Sequence, residues 1–305
     1  MKNKPKIIVV VGPTSSGKSD LAVYIAKKWN GEVVSVDSRQ VYRGLDIGSG
    51  KITKAEMKGV PHHLLDVANP KVVFTASDFV KAGNKAIEDI LKKGKIPILA
   101  GGTGFYLSAL LGEISLPSVE PNKKLRMSLE KLSNEKLLEK LRVLDPERAD
   151  EVGLENTHRI IRAIEIARAI GKTPKQIKKS PYSTLKIGIS VDKKILEERI
   201  NTRLLARLRK GMLAEAKKLH KEGVSFKRME SLGLEYRYMA RHLKGEISKE
   251  EMIETLKIKT RQYAKRQRTW FKRDKEINWF NLNEIKKIEK EVLGFLACPP
   301  SGGAS

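Results

Sequence analysis

The chain has 305 residues, 40% of them hydrophobic, which is enough for a large core and too apolar for a disordered polymer. Lys and Arg number 61 against 36 Asp and Glu, a formal charge of +25, and the single cysteine excludes an internal disulfide and any zinc site with two thiolate ligands. A surplus of that size points to a polyanionic partner, nucleic acid ahead of an anionic membrane; no apolar run approaches the roughly 18–20 residues of a membrane span, so the expected location is cytoplasmic.

In chain order, Ile7–Val11 is a short β-branched run that predicts a buried parallel strand. It opens into Gly12-Pro13-Thr14-Ser15-Ser16-Gly17-Lys18-Ser19 and then an amphipathic helix from Asp20 to about Trp29, closed by Asn30-Gly31. Glu32–Val36 reads as a second strand ending at Asp37. A helix is expected from about Ser77 to Lys93, and Ile96–Ala100 as a third strand ending in Gly101-Gly102-Thr103-Gly104. This alternation predicts an α/β fold with a mostly parallel sheet and helices on both faces, as in P-loop NTPases. Residues 1–114 form the first part of that core. Residues 115–183, charged and helical in pattern, read as an inserted domain. Thr184–Val191 returns as a strand. Residues 184–296 complete the core and add basic helices, with Asn278–Leu282 as a late strand, and 297–305 has the composition of a disordered tail.

The segment Gly12–Ser19 matches G-x-x-x-x-G-K-[ST] between a predicted strand and a predicted helix. Its glycines let backbone N–H groups and the helix N-terminus face a phosphate; Lys18 adds a point charge and Ser19 a hydroxyl for Mg²⁺. ATP or GTP is the usual occupant. Hydrolysis of a nucleotide, however, calls for an Asp at the end of a later core strand, and Ile96–Ala100 ends in Gly-Gly-Thr-Gly. A diphosphate held here could instead be a leaving group. Asp37, at the carboxyl end of its strand, is placed to face the same crevice. It could accept a proton from a nucleophile, cap a helix, or bind Mg²⁺ through water.

Lys257–Lys275 holds nine basic residues and one acidic one. Arg261, Lys265, Arg268 and Lys272 recur on one helical face, a stripe that can follow a phosphate backbone, while Tyr263 and Trp270 are expected to pack inward. His62 and His63, adjacent in an extended segment, point to opposite sides and cannot easily share one ion, so a structural role is expected.

The stretches GPTSSGKS, DSRQVYRGLDIGSGK, PHHLLDV, AGGTGFYL, HRIIRAIEI and TRQYAKRQRTWF, in this order, resemble the tRNA dimethylallyltransferases of bacterial type over about residues 6–282. The resemblance implies transfer of a dimethylallyl group from dimethylallyl diphosphate to N6 of the adenosine 3′ of the anticodon (tRNA position 37), in tRNAs reading codons that start with U. It also implies a monomer that acts with Mg²⁺ on the anticodon stem-loop. By the same resemblance Gly12, Pro13, Thr14, Ser15, Ser16, Gly17, Lys18 and Ser19 hold the diphosphate, with Mg²⁺ at Ser19. Asp37 is the general base and Arg203 steadies the leaving group. Ser38, Arg39, Gln40, Thr103, Arg126, His158, Arg159 and Arg162 join Asp37 as tRNA contacts. The chain departs from the family pattern at Ile47–Lys51 and at Ser231–Tyr238. The alternatives are a P-loop small-molecule kinase, an adenylate isopentenyltransferase, and an RNA-binding protein without activity.

Overall fold

The computed structural model describes residues 4–172 and 180–298. Among them, six parallel strands form one sheet: β1 (Lys6–Val11), β2 (Gly31–Val36), β3 (His62–His63), β4 (Ile96–Gly101), β5 (Ser183–Ile189) and β6 (Ile277–Phe280), in the order β3-β2-β4-β1-β5-β6. The expected strands are present with ends shifted by at most two residues. β3 is an addition, because two histidines carry too little apolar pattern to announce a strand. Alternation on β1 explains why the sheet is covered twice. Ile7, Val9 and Val11 enter one core and Ile8 and Val10 the other.

On the Ile8 face, α1 (Lys18–Lys28) contributes Leu21, Ala22 and Ile25, and the late helix of the chain contributes Ile288 and Val292. The Ile7 face is covered by a larger set. After the four-residue α2 (Lys54–Met57), α3 (Ala76–Lys92) starts on a Thr75/Asp78 capping box and α4 (Gly104–Leu110) follows β4 directly.

Contacts divide the chain into two compact units, one of residues up to Leu111 with those from Ser180, the other Gly112–Lys179. The boundaries expected at 115 and 183 lie three and four residues further along. The described part of the second unit is helical: α5 (Lys123–Leu129), α6 (Asn134–Leu144), α7 (Pro146–Val152) and α8 (Thr157–Ile170), packed around Leu137, Leu141, Ile160 and Ile164.

In the first unit the chain continues through α9 (Lys193–Arg209), α10 (Met212–Lys221), α11 (Phe226–Ser231), α12 (Leu234–Leu243), α13 (Lys249–Phe271) and α14 (Ile285–Ala297). α13 begins on a Ser248/Glu251 capping box. Ala297, expected in the tail, ends α14, and Cys298 caps it; the remainder of the expected tail lies outside the described residues. No described helix is long and apolar enough to cross a membrane.

At the β2–β3 edge, Glu32 is 1% exposed and accepts from His63, Lys93 and Lys95. Burial alone would raise its carboxyl; Lys95, His63 and Lys93 outweigh it and hold Glu32 at about 2. His63 therefore serves the fold, and His62, on the other side of the strand, does not share that cluster.

Candidate active site

β1 lies between β4 and β5, so the chain leaving β1 crosses β4 to reach β2. Such a reversal opens a crevice at the carboxyl ends of the strands. The segments after β1, β2 and β4 meet there and line a cavity of about 430 Å³. Thr14, Lys18, Ser19, Asp37, Ser38, Arg39, Gln40, Thr103 and Arg203 are all on its wall.

The Gly12–Ser19 loop has a folded, left-handed geometry at two points, Ser15 (φ 61°) and Gly17 (φ 91°). A non-glycine residue in that region costs on the order of 1–3 kcal/mol, which the surrounding fold must offset. Gly17 precedes the first turn of α1, whose free amides carry a partial positive charge. Its missing side chain matters as well, since a Cβ there would come within 2.6 Å of Leu282. The Ser16 hydroxyl is buried without a hydrogen-bond partner.

Charge converges on the same space. The wall carries six cations, Lys18, Arg39, Arg203, Arg207, Arg237 and Arg266, and two carboxylates, Asp37 and Glu235. Lys18 is pushed down to about 8, first by desolvation and then by Arg203, with Asp37 opposing. Burial and Arg207 also lower Arg203, which stays charged at any physiological pH. Arg203 donates to the Gly50 carbonyl (3.0 Å) and Arg207 to that of Gly48 (2.8 Å). Backbone carbonyls aim these guanidinium groups without cancelling their charge; Glu235 partly neutralises Arg207. The arrangement can hold a multiply charged anion and stabilise charge that grows on it. Ser19, exposed on the wall, is an oxygen donor of the kind Mg²⁺ takes together with waters and substrate phosphates, so the chemistry of the site fits that ion.

Asp37 follows β2 directly. Its Oδ1 accepts from the amides of Arg39 (2.7 Å) and Gln40 (3.2 Å), an Asx-type turn that fixes the carboxylate and leaves Oδ2 for a proton. The Ser38 amide donates to Thr103 Oγ1 (3.3 Å), joining the ends of β2 and β4. Gly101 is required there, because a Cβ would lie 2.0 Å from the Val36 carbonyl oxygen. Tyr263, expected to pack inward, does so and also forms part of the wall. Burial pushes its phenol up to about 12, Asp37 adds to the rise, and Thr103 lies beside it.

The wall residues Gln267 and Arg266 were not singled out from the sequence, and His62 was expected only to be structural. Gln267 and Arg266 sit beside Tyr263 on α13, and His62 reaches the wall from β3. Glu215 on α10 lies behind the site. Its carboxylate accepts from the amides of Asp46 (2.9 Å), Ile47 (2.7 Å) and Gly48 (2.9 Å) and from the Tyr236 hydroxyl (2.6 Å). It thereby fixes the Ile47–Lys51 segment whose carbonyls aim Arg203 and Arg207. A glutamine on the mainly apolar inner face of a helix was the available clue for Gln267. Nothing local marks Glu215, whose partners are about 170 positions away.

The remaining candidates belong to the second unit. Arg126 and Arg162 both pair with Glu165, which is 1% exposed; Arg126 does so through two 2.7 Å bonds. His158 and Arg159, in the first turn of α8, are exposed.

Comparison with known proteins bears on the chain as a whole. The family model described as IPP transferase matches residues 40–274. The tRNA dimethylallyltransferase of Halalkalibacterium halodurans is 39% identical over 96% of this chain and 97% of its own length. The tRNA dimethylallyltransferase 1 of Geotalea daltonii is 43% identical over 95% of each. The crystal structure of a full-length tRNA isopentenylpyrophosphate transferase from Bacillus halodurans superposes with a TM-score of 0.74, at 37% identity, covering 96% of this chain and 97% of that one. A eukaryotic dimethylallyltransferase captured acting on tRNA superposes with a TM-score of 0.78 at 26% identity, covering 95% of this chain and 77% of that one. With a family model across most of its length and relatives near 40% identity from end to end, the chain belongs to the tRNA dimethylallyltransferase family.

Proposed function

We propose that this protein transfers the dimethylallyl group of dimethylallyl diphosphate to N6 of the adenosine 3′ of the anticodon, in tRNAs reading codons that start with U, and releases diphosphate. The observation that carries this reading is the sharing of one cavity by a cationic loop and an oriented carboxylate. Lys18, Arg203 and the Gly12–Ser19 amides suit a diphosphate; Asp37 and Thr103 lie where an acceptor base would enter.

The chemistry follows from that layout. The N6 electron pair forms the new N–C1 bond. The C1–O bond breaks and its electron pair leaves on the diphosphate, where Lys18 and Arg203 oppose the growing charge. The N6 lone pair is delocalised into the ring, so loss of its proton to Asp37 as bonding proceeds raises its nucleophilicity. Bound at Ser19, Mg²⁺ would neutralise part of the diphosphate charge. The target base must leave its stack to reach so enclosed a position. By family likeness Ser38, Arg39, Gln40, Arg126, His158, Arg159 and Arg162 contact the tRNA. The same reading takes the protein to act as a monomer, and a tRNA substrate supports a cytoplasmic location.

The decisive experiment incubates the protein with Mg²⁺, dimethylallyl diphosphate and unmodified tRNA, then digests the RNA and looks for isopentenylated adenosine by mass. Product is the expected result. ATP turnover with a small acceptor and no such product would instead establish the kinase alternative.

A further inference from the structure

Gln267 is a polar residue on the inner face of α13. It is 6% exposed, and its side-chain amide makes two bonds to distant backbone. Oε1 accepts from the Thr14 amide at 2.8 Å, and Nε2 donates to the Gly102 carbonyl at 2.9 Å. The partners determine the orientation of the side chain, since an N–H can pair only with the oxygen and a carbonyl only with the NH₂. Gly102 admits this contact because it has no side chain; a Cβ would fall 2.1 Å from Gln267 Nε2. Tyr263 and Trp270, four residues before and three after, share this face. Tyr263 lies against Thr103, and Trp270 packs on Gly104, where a Cβ would come within 2.2 Å of its ring.

The two bonded segments have different tasks. Thr14 belongs to the cationic loop after β1. Gly102 precedes Thr103, which receives the Ser38 amide beside Asp37. We propose that Gln267 is a positioning residue that sets the separation between the diphosphate-holding loop and the Asp37–Thr103 side of the cavity, and so the distance from C1 of the prenyl donor to N6 of the acceptor. This rests on the prenyl-transfer reading given above. A bridging amide suits the task because it presents an acceptor and a donor on one rigid plane.

Two variants test it against wild type in the same assay. Gln267→Leu removes both bonds and keeps the buried position apolar. The expected result is a fall in kcat/KM of roughly ten-fold to a hundred-fold, the range for small misplacements of reacting groups, with tRNA affinity unchanged. Gln267→Glu keeps the size. Ionised, it still accepts from Thr14 but repels the Gly102 carbonyl; protonated, its O–H replaces the missing donor. Its rate relative to wild type should therefore climb as pH falls. The charged and titratable groups on the wall it shares are Lys18 from α1, Asp37 and Arg39 after β2, His62 from β3, Arg203 and Arg207 from α9, Glu235 and Arg237 from α12, and Tyr263 and Arg266 from α13 itself. They are the same in both proteins, so the ratio isolates the introduced carboxyl. A flat ratio across pH, or wild-type kinetics in the leucine variant, would overturn the proposal. If wild type itself makes no isopentenylated adenosine, the functional reading fails instead. Calorimetry with inorganic pyrophosphate then decides the positioning role: weaker binding by Gln267→Leu upholds it and equal binding refutes it.

Discussion

Asp37 and Lys18 share one cavity, where the carboxylate favours the charged ammonium, and each has a measurable consequence. Asp37→Asn retains an oxygen that can accept the Arg39 and Gln40 amides, so the turn survives and only the proton acceptor is lost. The expected outcome is unchanged tRNA affinity and a rate lower by about 10²–10⁴, the usual contribution of a general base. Single-turnover kinetics beside a tRNA binding titration checks both halves, and loss of binding would make Asp37 a structural residue. Lys18 titrates in the free protein at about 8, below its ordinary 10.5, so the fold disfavours its charged form. An anion favours that form. Binding of inorganic pyrophosphate should therefore take up a proton near pH 8 and weaken as pH rises through that value. Calorimetry in buffers of different ionisation enthalpy measures the uptake. Lys18→Met, which removes this site and leaves the ligand's own titration in place, should abolish that component.

At the scale of elements, the site depends on segments that hold one another. The Ile47–Lys51 segment aims two arginines through its carbonyls and is itself gathered by Glu215 and Tyr236. Gly48 allows this, since a Cβ would meet the Tyr236 ring at 2.6 Å. Glu215→Ala leaves three amides and a buried phenol without their acceptor. A stability loss of about 2–3 kcal/mol is expected from bonds to a charged group. Misaimed Arg203 and Arg207 should add a fall in turnover of roughly ten-fold. Urea unfolding and steady-state kinetics separate the two effects. Wild-type turnover in a destabilised variant would show that the arginines do not need the loop. α13 has the same double character, with Gln267 and Trp270 turned to the glycines after β4 and Lys265, Arg268 and Lys272 exposed on its other side.

Over the whole molecule, the surplus of +25 is a long-range attraction for RNA. tRNA binding should weaken steeply between about 50 and about 200 mM salt as condensed counterions are no longer released to advantage. Replacing Lys265, Arg268 and Lys272 together by Gln should reduce the slope of log K against log salt by about 2–3, on the order of one unit for each phosphate that the protein no longer neutralises. Filter binding over that range measures it, and an unchanged slope would place the RNA away from this stripe.

Much was legible in one dimension because its causes are local. The β-branched run of Ile7–Val11, the spacing of Gly12–Ser19, the carboxylate at the end of the second strand and the helical pattern within residues 115–183 act over a few residues, and the chain pattern records them. Strand order was not local, and β3 could not be read from two histidines. Nor could it be read that Tyr263 would line the cavity, that Gln267 would bond to a loop some 250 positions earlier, or that Glu215 would gather amides about 170 positions away. These depend on backbone groups that acquire partners only when the sheet and helices close around them. The residues whose chemistry suits a diphosphate and a proton were thus determined by sequence, whereas the spacing of the segments that carry them was decided by tertiary packing, because the loop after β1 and the segment after β4 are both bonded by one side chain from α13.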